Sequence, residues 1–208
     1  MNSNSPFDLI YRDDHLLVVN KPAGLLAVPG RGEEKQDCLS ARLQKEFPDA
    51  LVVHRLDMAT SGLMMFARGA DMQKLLSLMF QEREVEKRYV AVVVGKLVPE
   101  TGEVNLPIVA DWPNRPLQKI DAEQGKPSLT RYRALSLNEG NTRVELEPVT
   151  GRTHQLRIHM ATIGHPILGD ALYGDASSAT RLLLHATNLD LLHPLTGLPL
   201  HFVSSAPF

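Results

Sequence analysis

The sequence has a single cysteine, Cys38, so an intrachain disulfide and a cysteine-rich zinc site are both excluded. It has no long apolar run. The longest, residues 89–95, is far too short to span a bilayer. The polar stretch Met1 to Pro6 carries no cationic segment ahead of an apolar one, so no secretory signal is expected. Repeats, low-complexity tracts and a Gly/Ser linker are missing too. There is no Gly-x-Gly-x-x-Gly and no P-loop, which removes dinucleotide and nucleoside-triphosphate readings. Ser61 lies in Ala-Thr-Ser-Gly, not in a nucleophile elbow. His154 and His159 stand five apart with no carboxylate joining them, so no metal site is expected. Asp57 has no second acid nearby in sequence, which leaves paired-carboxylate glycosidase chemistry unsupported. Excess positive charge is also lacking. The formal net charge is −2, which argues against a protein that coats nucleic acid by bulk charge.

What is present is a globular composition: 208 residues, 43% hydrophobic and 22% charged, enough for one domain or two small lobes. The apolar pattern predicts paired strands at 8–11 and 16–20, a helix at 39–47 stopped by Pro48, and a strand at 62–67. A helix follows at 71–83, with Met72, Leu75, Leu76, Met79 and Phe80 as its apolar stripe. Residues 88–97 read as a central strand, apolar on both faces. Residues 129–137 and 143–148 read as a hairpin, a helix starts near Thr153, and 182–192 pairs with 198–203. Strands dominate, so the expected class is α+β with a mixed, largely antiparallel sheet and flanking helices.

Two segments break the local rules. In Val52 to Gly62, Arg55 and Asp57 lie two apart between an apolar pair and a Thr-Ser-Gly turn. Asp57 could simply accept hydrogen bonds from turn amides near Thr60 and Ser61. Alternatively, it is an ionised carboxylate held on a rigid loop beside a substrate cleft. The second segment is Gly151 to His159. Wound as a helix, it is apolar on two faces: Leu156, Met160 and Ile163 on one, Ile158 on the other. Arg157 falls between them, so partial burial and an anionic partner are expected, either Glu145 or Glu147, or Asp57. Tyr89, at the start of the central strand, is either an ordinary half-buried tyrosine or a flat face on which a base stacks.

Taken together, these segments resemble the RluA family of pseudouridine synthases over nearly the whole chain. The match runs through Asn20 to Leu25, His54-Arg55-Leu56-Asp57 continuing to Thr60-Ser61-Gly62, Arg88 to Ala91, Gly151 to His159 and Leu182 to Ala186. The resemblance implies the pseudouridine synthase catalytic fold with a central RNA-binding cleft, a single catalytic domain over 1–208, and no N-terminal accessory RNA-binding domain. It also implies a cytoplasmic monomer that needs neither cofactor nor metal. Asp57 is placed as the catalytic carboxylate, either attacking the anomeric carbon or removing the neighbouring 2′ proton. Arg55 would enter the RNA stack where the target base was, Tyr89 would stack on the uracil, and Arg157, with Leu156 beside it, would pair with Asp57. His54, Arg115, Lys119, Arg152, His154 and Gln155 are the implied RNA contacts. At 54–62 and 111–116 the match narrows to members acting on tRNA anticodon stem-loops, at position 32, and on 23S rRNA, at position 746. The competing readings are a family member with another RNA target, a non-catalytic RNA-binding module and an unrelated hydrolase.

The charge balance fits this reading once it is divided along the chain. Asp8, Asp13 and Asp14 stand against Arg12 at one end, and Asp170, Asp175 and Asp190 against Arg181 at the other. The stretch 112–133, with Arg115, Lys119, Lys126, Arg131 and Arg133, is expected to be a basic surface for the phosphate backbone.

Overall fold

The computed structural model describes residues 7–208. In chain order its elements are β1 (Asp8–Arg12), β2 (Leu16–Lys21), α1 (Leu39–Gln44), β3 (Ala50–Val52), β4 (Ser61–Arg68), α2 (Ala70–Glu82), β5 (Glu86–Val93), β6 (Thr101–Asn105), β7 (Ile108–Ala110), β8 (Gln118–Ile120), β9 (Leu129–Asn138), β10 (Asn141–Pro148), α3 (Gln155–Thr162), β11 (Leu184–Leu192) and β12 (Pro199–Val203). Strands outnumber α-helices twelve to three among the described residues, and the fold is α+β. None of the described helices is long and apolar enough to cross a membrane.

The chain divides into two compact units. The first holds the residues up to Lys87 and Ala186–Pro207; the second holds Arg88–His185 and Phe208. In the first unit the strand order is β1-β2-β4-β11, with β3 also on β4 and β12 on β11. β2 and β4 pair antiparallel from Leu16↔Ala67 to Lys21↔Gly62. Leu16 to Val19 and Leu63 to Ala67 are fully buried, so these strands are covered on both faces. The core gathers Leu16, Val18, Leu63, Met65, Leu189 and Phe202 against Met72 and Leu76 of α2. Removing the Leu76 side chain would cost about 2–5 kcal/mol. The helix stripe is narrower than its sequence period suggests, because Leu75 is 42% exposed and faces away from this core.

α1 ends at Gln44, three residues short of the expected stop. The Glu46 N–H folds back to the Leu43 carbonyl three residues earlier, a tighter turn than the α-helix, and the Phe47 N–H shares that carbonyl before Pro48 bars further helix. At the other end of α1 the Cys38 thiol accepts the Ala41 N–H.

In the second unit the order is β5-β10-β9-β6, with β7–β8 as a separate hairpin. The β9–β10 turn uses Glu139 and Gly140, both at positive φ, as a two-residue hairpin requires. β5 is internal, as expected. It pairs with β10 on one edge, and on the other Val92 bonds both Leu183 and Leu168. Its faces are unequal, however. Ala91 and Val93 are buried while Tyr89, Val90 and Val92 are only half-buried, and the strand stops at Val93, ahead of Gly95 at positive φ.

Candidate active site

In the first unit, residues 53–60 connect β3 to β4 and carry His54, Arg55 and Asp57 on one loop. The loop is pinned along its length. The Met65 N–H donates to His54 Nε2 at 2.9 Å, and the imidazole stacks on Phe80 with centroids 4.3 Å apart. Burial, with the Lys87 charge nearby, pushes the His54 pKa down to about 3, so the ring is neutral. Leu56 is buried. The Asp57 carbonyl accepts the Thr60 N–H at 3.1 Å, so the backbone closes the turn. The Met58 carbonyl accepts the Gly24 N–H and Lys21 Nζ. Lys21 is fully buried at the end of β2, and its ammonium also donates to the Pro22 and Leu25 carbonyls at 2.9 and 2.8 Å. One buried cation thus ties the turn after β2 to the residue following Asp57. Asp57 itself is half-buried and Arg55 exposed. Gly62 ends the motif at φ +114, where any Cβ would meet the Ala186 backbone at 2.3 Å, so only glycine fits.

In the second unit, α3 carries Gln155, Leu156 and Arg157, all buried, with Arg152 exposed and His154 half-buried just before it. Arg157 is 4% exposed, as its position between two apolar faces suggests. Its guanidinium forms a two-pronged pair with Asp170, Nε to Oδ2 at 2.8 Å and Nη2 to Oδ1 at 2.6 Å. Neither glutamate alternative fits: Glu145 pairs with Arg88 and Arg133, and Glu147 with Arg131. Burial pushes the Asp170 carboxyl up. The Arg157 hydrogen bond and charge, together with the Leu172 and Tyr173 amides, outweigh that and hold it below the usual carboxylate range.

A buried polar chain fixes the rest of α3. Gln155 Oε1 accepts from Thr150 Oγ1 and Arg152 N–H, and its Nε2 donates to the Leu129 carbonyl and Thr130 Oγ1. Thr130 Oγ1 also bonds His159 Nδ1, and His159 Nε2 bonds the Leu106 carbonyl at 3.0 Å. Burial pushes the His159 pKa down, against the pull of that carbonyl, so the ring is neutral and donates through Nε2.

Tyr173 joins α3 to the β7–β8 hairpin. Its hydroxyl accepts the Gln118 N–H and bonds His154 Nδ1, each at 2.8 Å, while its ring lies 5.3 Å from the Arg157 guanidinium carbon. His154 is held in the left-handed region at φ +55, a conformation that costs about 1 kcal/mol or more. The hairpin presents Arg115 stacked on the exposed Trp112 at 3.3 Å, and Lys119 paired with Asp121 at 3.2 Å. Tyr89 sits on β5 opposite Leu146 of β10.

The basic surface expected over 112–133 is smaller than the sequence suggests. Arg131 and Arg133 face Glu103, Glu147 and Glu145 on the strands around them, and Lys119 faces Asp121, which leaves Arg115 and Lys126 outside ion pairs among the described residues of that stretch. Asp170 is likewise not a surface acid but a buried partner of Arg157. Lys21, Asp170 and Tyr173 were not among the expected site residues. Only Lys21 left a local signal, a cation closing the apolar run Leu16 to Val19 just before Pro22.

Comparison with known proteins agrees with this arrangement. A family model for RNA pseudouridylate synthase matches residues 15–162. The dual-specificity RNA pseudouridine synthase RluA of Escherichia coli K12 is 50% identical over 204 residues, which cover 96% of this chain and 93% of that one. Its namesake in Yersinia pestis is 48% identical, covering 96% and 99%. Among solved structures, human RNA pseudouridylate synthase domain containing 1 superposes with a TM-score of 0.79 at 30% identity, covering 100% of this chain and 86% of that one. Likeness on this scale, over a motif loop held so tightly, means that the chain belongs to the RNA pseudouridylate synthase family and is an isomerase.

Proposed function

We propose that this enzyme converts uridine to pseudouridine in two RNAs, at position 32 of tRNA anticodon stem-loops and position 746 of 23S rRNA, as a monomer in the cytoplasm where both occur. The observation that carries the dual substrate is the near-50% identity, over almost the full length, to relatives named as dual-specificity enzymes. The reaction breaks the C1′–N1 bond, turns the base and forms C1′–C5; C5 loses a proton and N1 gains one. Asp57 supplies the carboxylate at the sugar. Its support is a loop fixed on both sides of it, by His54 and by Met58. Arg55, exposed and with no hydrogen bond or ion pair among the described residues, fills the space of the extruded nucleotide. Tyr89 and Arg157 serve the same nucleotide, and Arg115 and Arg152 grip the backbone.

Tritium release from uracil labelled at carbon 5 tests this reading on a tRNA anticodon stem-loop and on a 23S rRNA fragment. Both RNAs should release tritium with the wild-type chain. Asp57→Asn should fold and bind while releasing about 10³-fold less. Release from one RNA alone overturns the dual substrate, and substantial release by Asp57→Asn overturns the assignment of the carboxylate.

A further inference from the structure

Lys87 is a half-buried cation at the end of the first unit, and its surroundings do not explain its charge. Its ammonium lies 5.8 Å from the centroid of Phe80, whose ring stacks on the neutral imidazole of His54. Burial lowers the Lys87 pKa, and so does the charge of Arg83, which follows α2 four residues earlier in the left-handed region at φ +67. Neither Lys87 nor Arg83 forms an ion pair or hydrogen bond through its side chain among the described residues, and the exposed carboxylates of Glu84 and Glu86 pair with neither. Elsewhere the less exposed cations are matched: Arg68 by Asp49, Arg157 by Asp170, Lys21 by three carbonyls.

A cation taken out of water without a counter-charge destabilises the fold. A second cation beside it adds repulsion. Both costs disappear when an anion with spread charge sits over the pair. His54 joins this cluster directly to the loop of Arg55 and Asp57. We infer that Lys87 and Arg83 form a phosphate subsite for the backbone of the RNA substrate, beside the loop that carries Asp57. The inference rests on the reading that the substrate is RNA. It names the anion as a phosphodiester because the charge to be matched is two cations against no buried acid.

The test is Lys87→Met, which keeps the aliphatic stem on Phe80 and removes the charge. Three effects are expected together. The melting temperature stays level or rises. The Kd for a synthetic tRNA anticodon stem-loop increases about tenfold, and the slope of log Kd against log salt falls by about 0.7–0.9, one phosphate contact. Arg83→Met should show the same slope change, and Lys45→Met, on the exposed end of α1, should show none. An unchanged Kd and slope in Lys87→Met overturn the subsite. So does a lower melting temperature with an unchanged slope, which marks a structural lysine. A wild-type chain that binds the stem-loop but releases no tritium sinks the catalytic reading and leaves the subsite standing, whereas one that binds no RNA sinks both.

Discussion

The two units hold their motif segments by different means. In the first, the Asp57 loop is tied by an unprotonated imidazole nitrogen and by backbone carbonyls, three of which share one buried ammonium. In the second, α3 is held by a full ion pair, Arg157 to Asp170, and by a chain of side-chain hydrogen bonds through Gln155, Thr130 and His159. The contrast follows from what each element must do. A loop of backbone can be fixed through its own carbonyls. A helix has none to spare in its middle and must be fixed through side chains. The loop should therefore fail by shifting, and the helix by stranding a charge.

Breaking the ion pair should give the largest loss of stability. Arg157→Ala leaves the Asp170 carboxylate buried and unmatched, at a cost of about 3–5 kcal/mol, or about 10 °C in melting temperature. The double change of Arg157 and Asp170 to apolar residues of similar volume should recover most of that. A melting temperature equal to wild type in Arg157→Ala would refute the buried pair. Lys21→Met tests the loop. It leaves the Pro22, Leu25 and Met58 carbonyls without their buried donor, costs about 3 kcal/mol, and lowers kcat about tenfold or more with little change in KM. Equal effects on kcat and KM would show that the loop had not moved as described.

Acid separates the two units further. The unfolded chain protonates histidine near pH 6.5, whereas folded His54 resists down to about 3. Stability from this residue is complete above about pH 6.5 and is lost as the pH falls towards 3, about 2 kcal/mol of it by pH 5. His159 is pushed the same way, so His54→Phe should flatten only part of the fall in melting temperature between pH 6.5 and 4.5. Asp170 has linkage of the same sign in a more acidic window. Its pKa is lowered, so its contribution is present above the usual carboxylate range and is lost only below about pH 4. A profile unaltered by His54→Phe would show that the imidazole is not held neutral. The smallest effect belongs to Tyr173→Phe. It keeps the ring beside Arg157 and removes the hydroxyl that joins His154 to the hairpin. The expected cost is about 1 kcal/mol, with KM for RNA raised a few-fold. A loss of kcat alone would show that the hairpin is not the element being positioned.

Most strands and the two longer helices were legible in the sequence, because runs such as Leu16 to Val19 and the β9–β10 alternation carry their period locally. The misplaced details have tertiary causes. Leu75 obeys the helical period yet lies off the edge of the core that Met72 and Leu76 meet. The basic run after Trp112 looked like one surface, but Arg131 and Arg133 sit on β9, where neighbouring strands set glutamates beside them. Such exposed pairs contribute little to stability, yet they remove charge that RNA could have used.

The chain's lack of net positive charge has the same explanation. The sequence by itself determined the α+β class, the His54 to Gly62 motif, and that Arg157 would need an anion, since these depend on residue type and spacing along one short stretch. Tertiary structure alone brought Asp170 to Arg157 and decided which cations are cancelled. Asp170 reaches Arg157 across 13 residues and Lys21 reaches Met58 across 37, and charge is matched by distance in space, which local spacing does not encode.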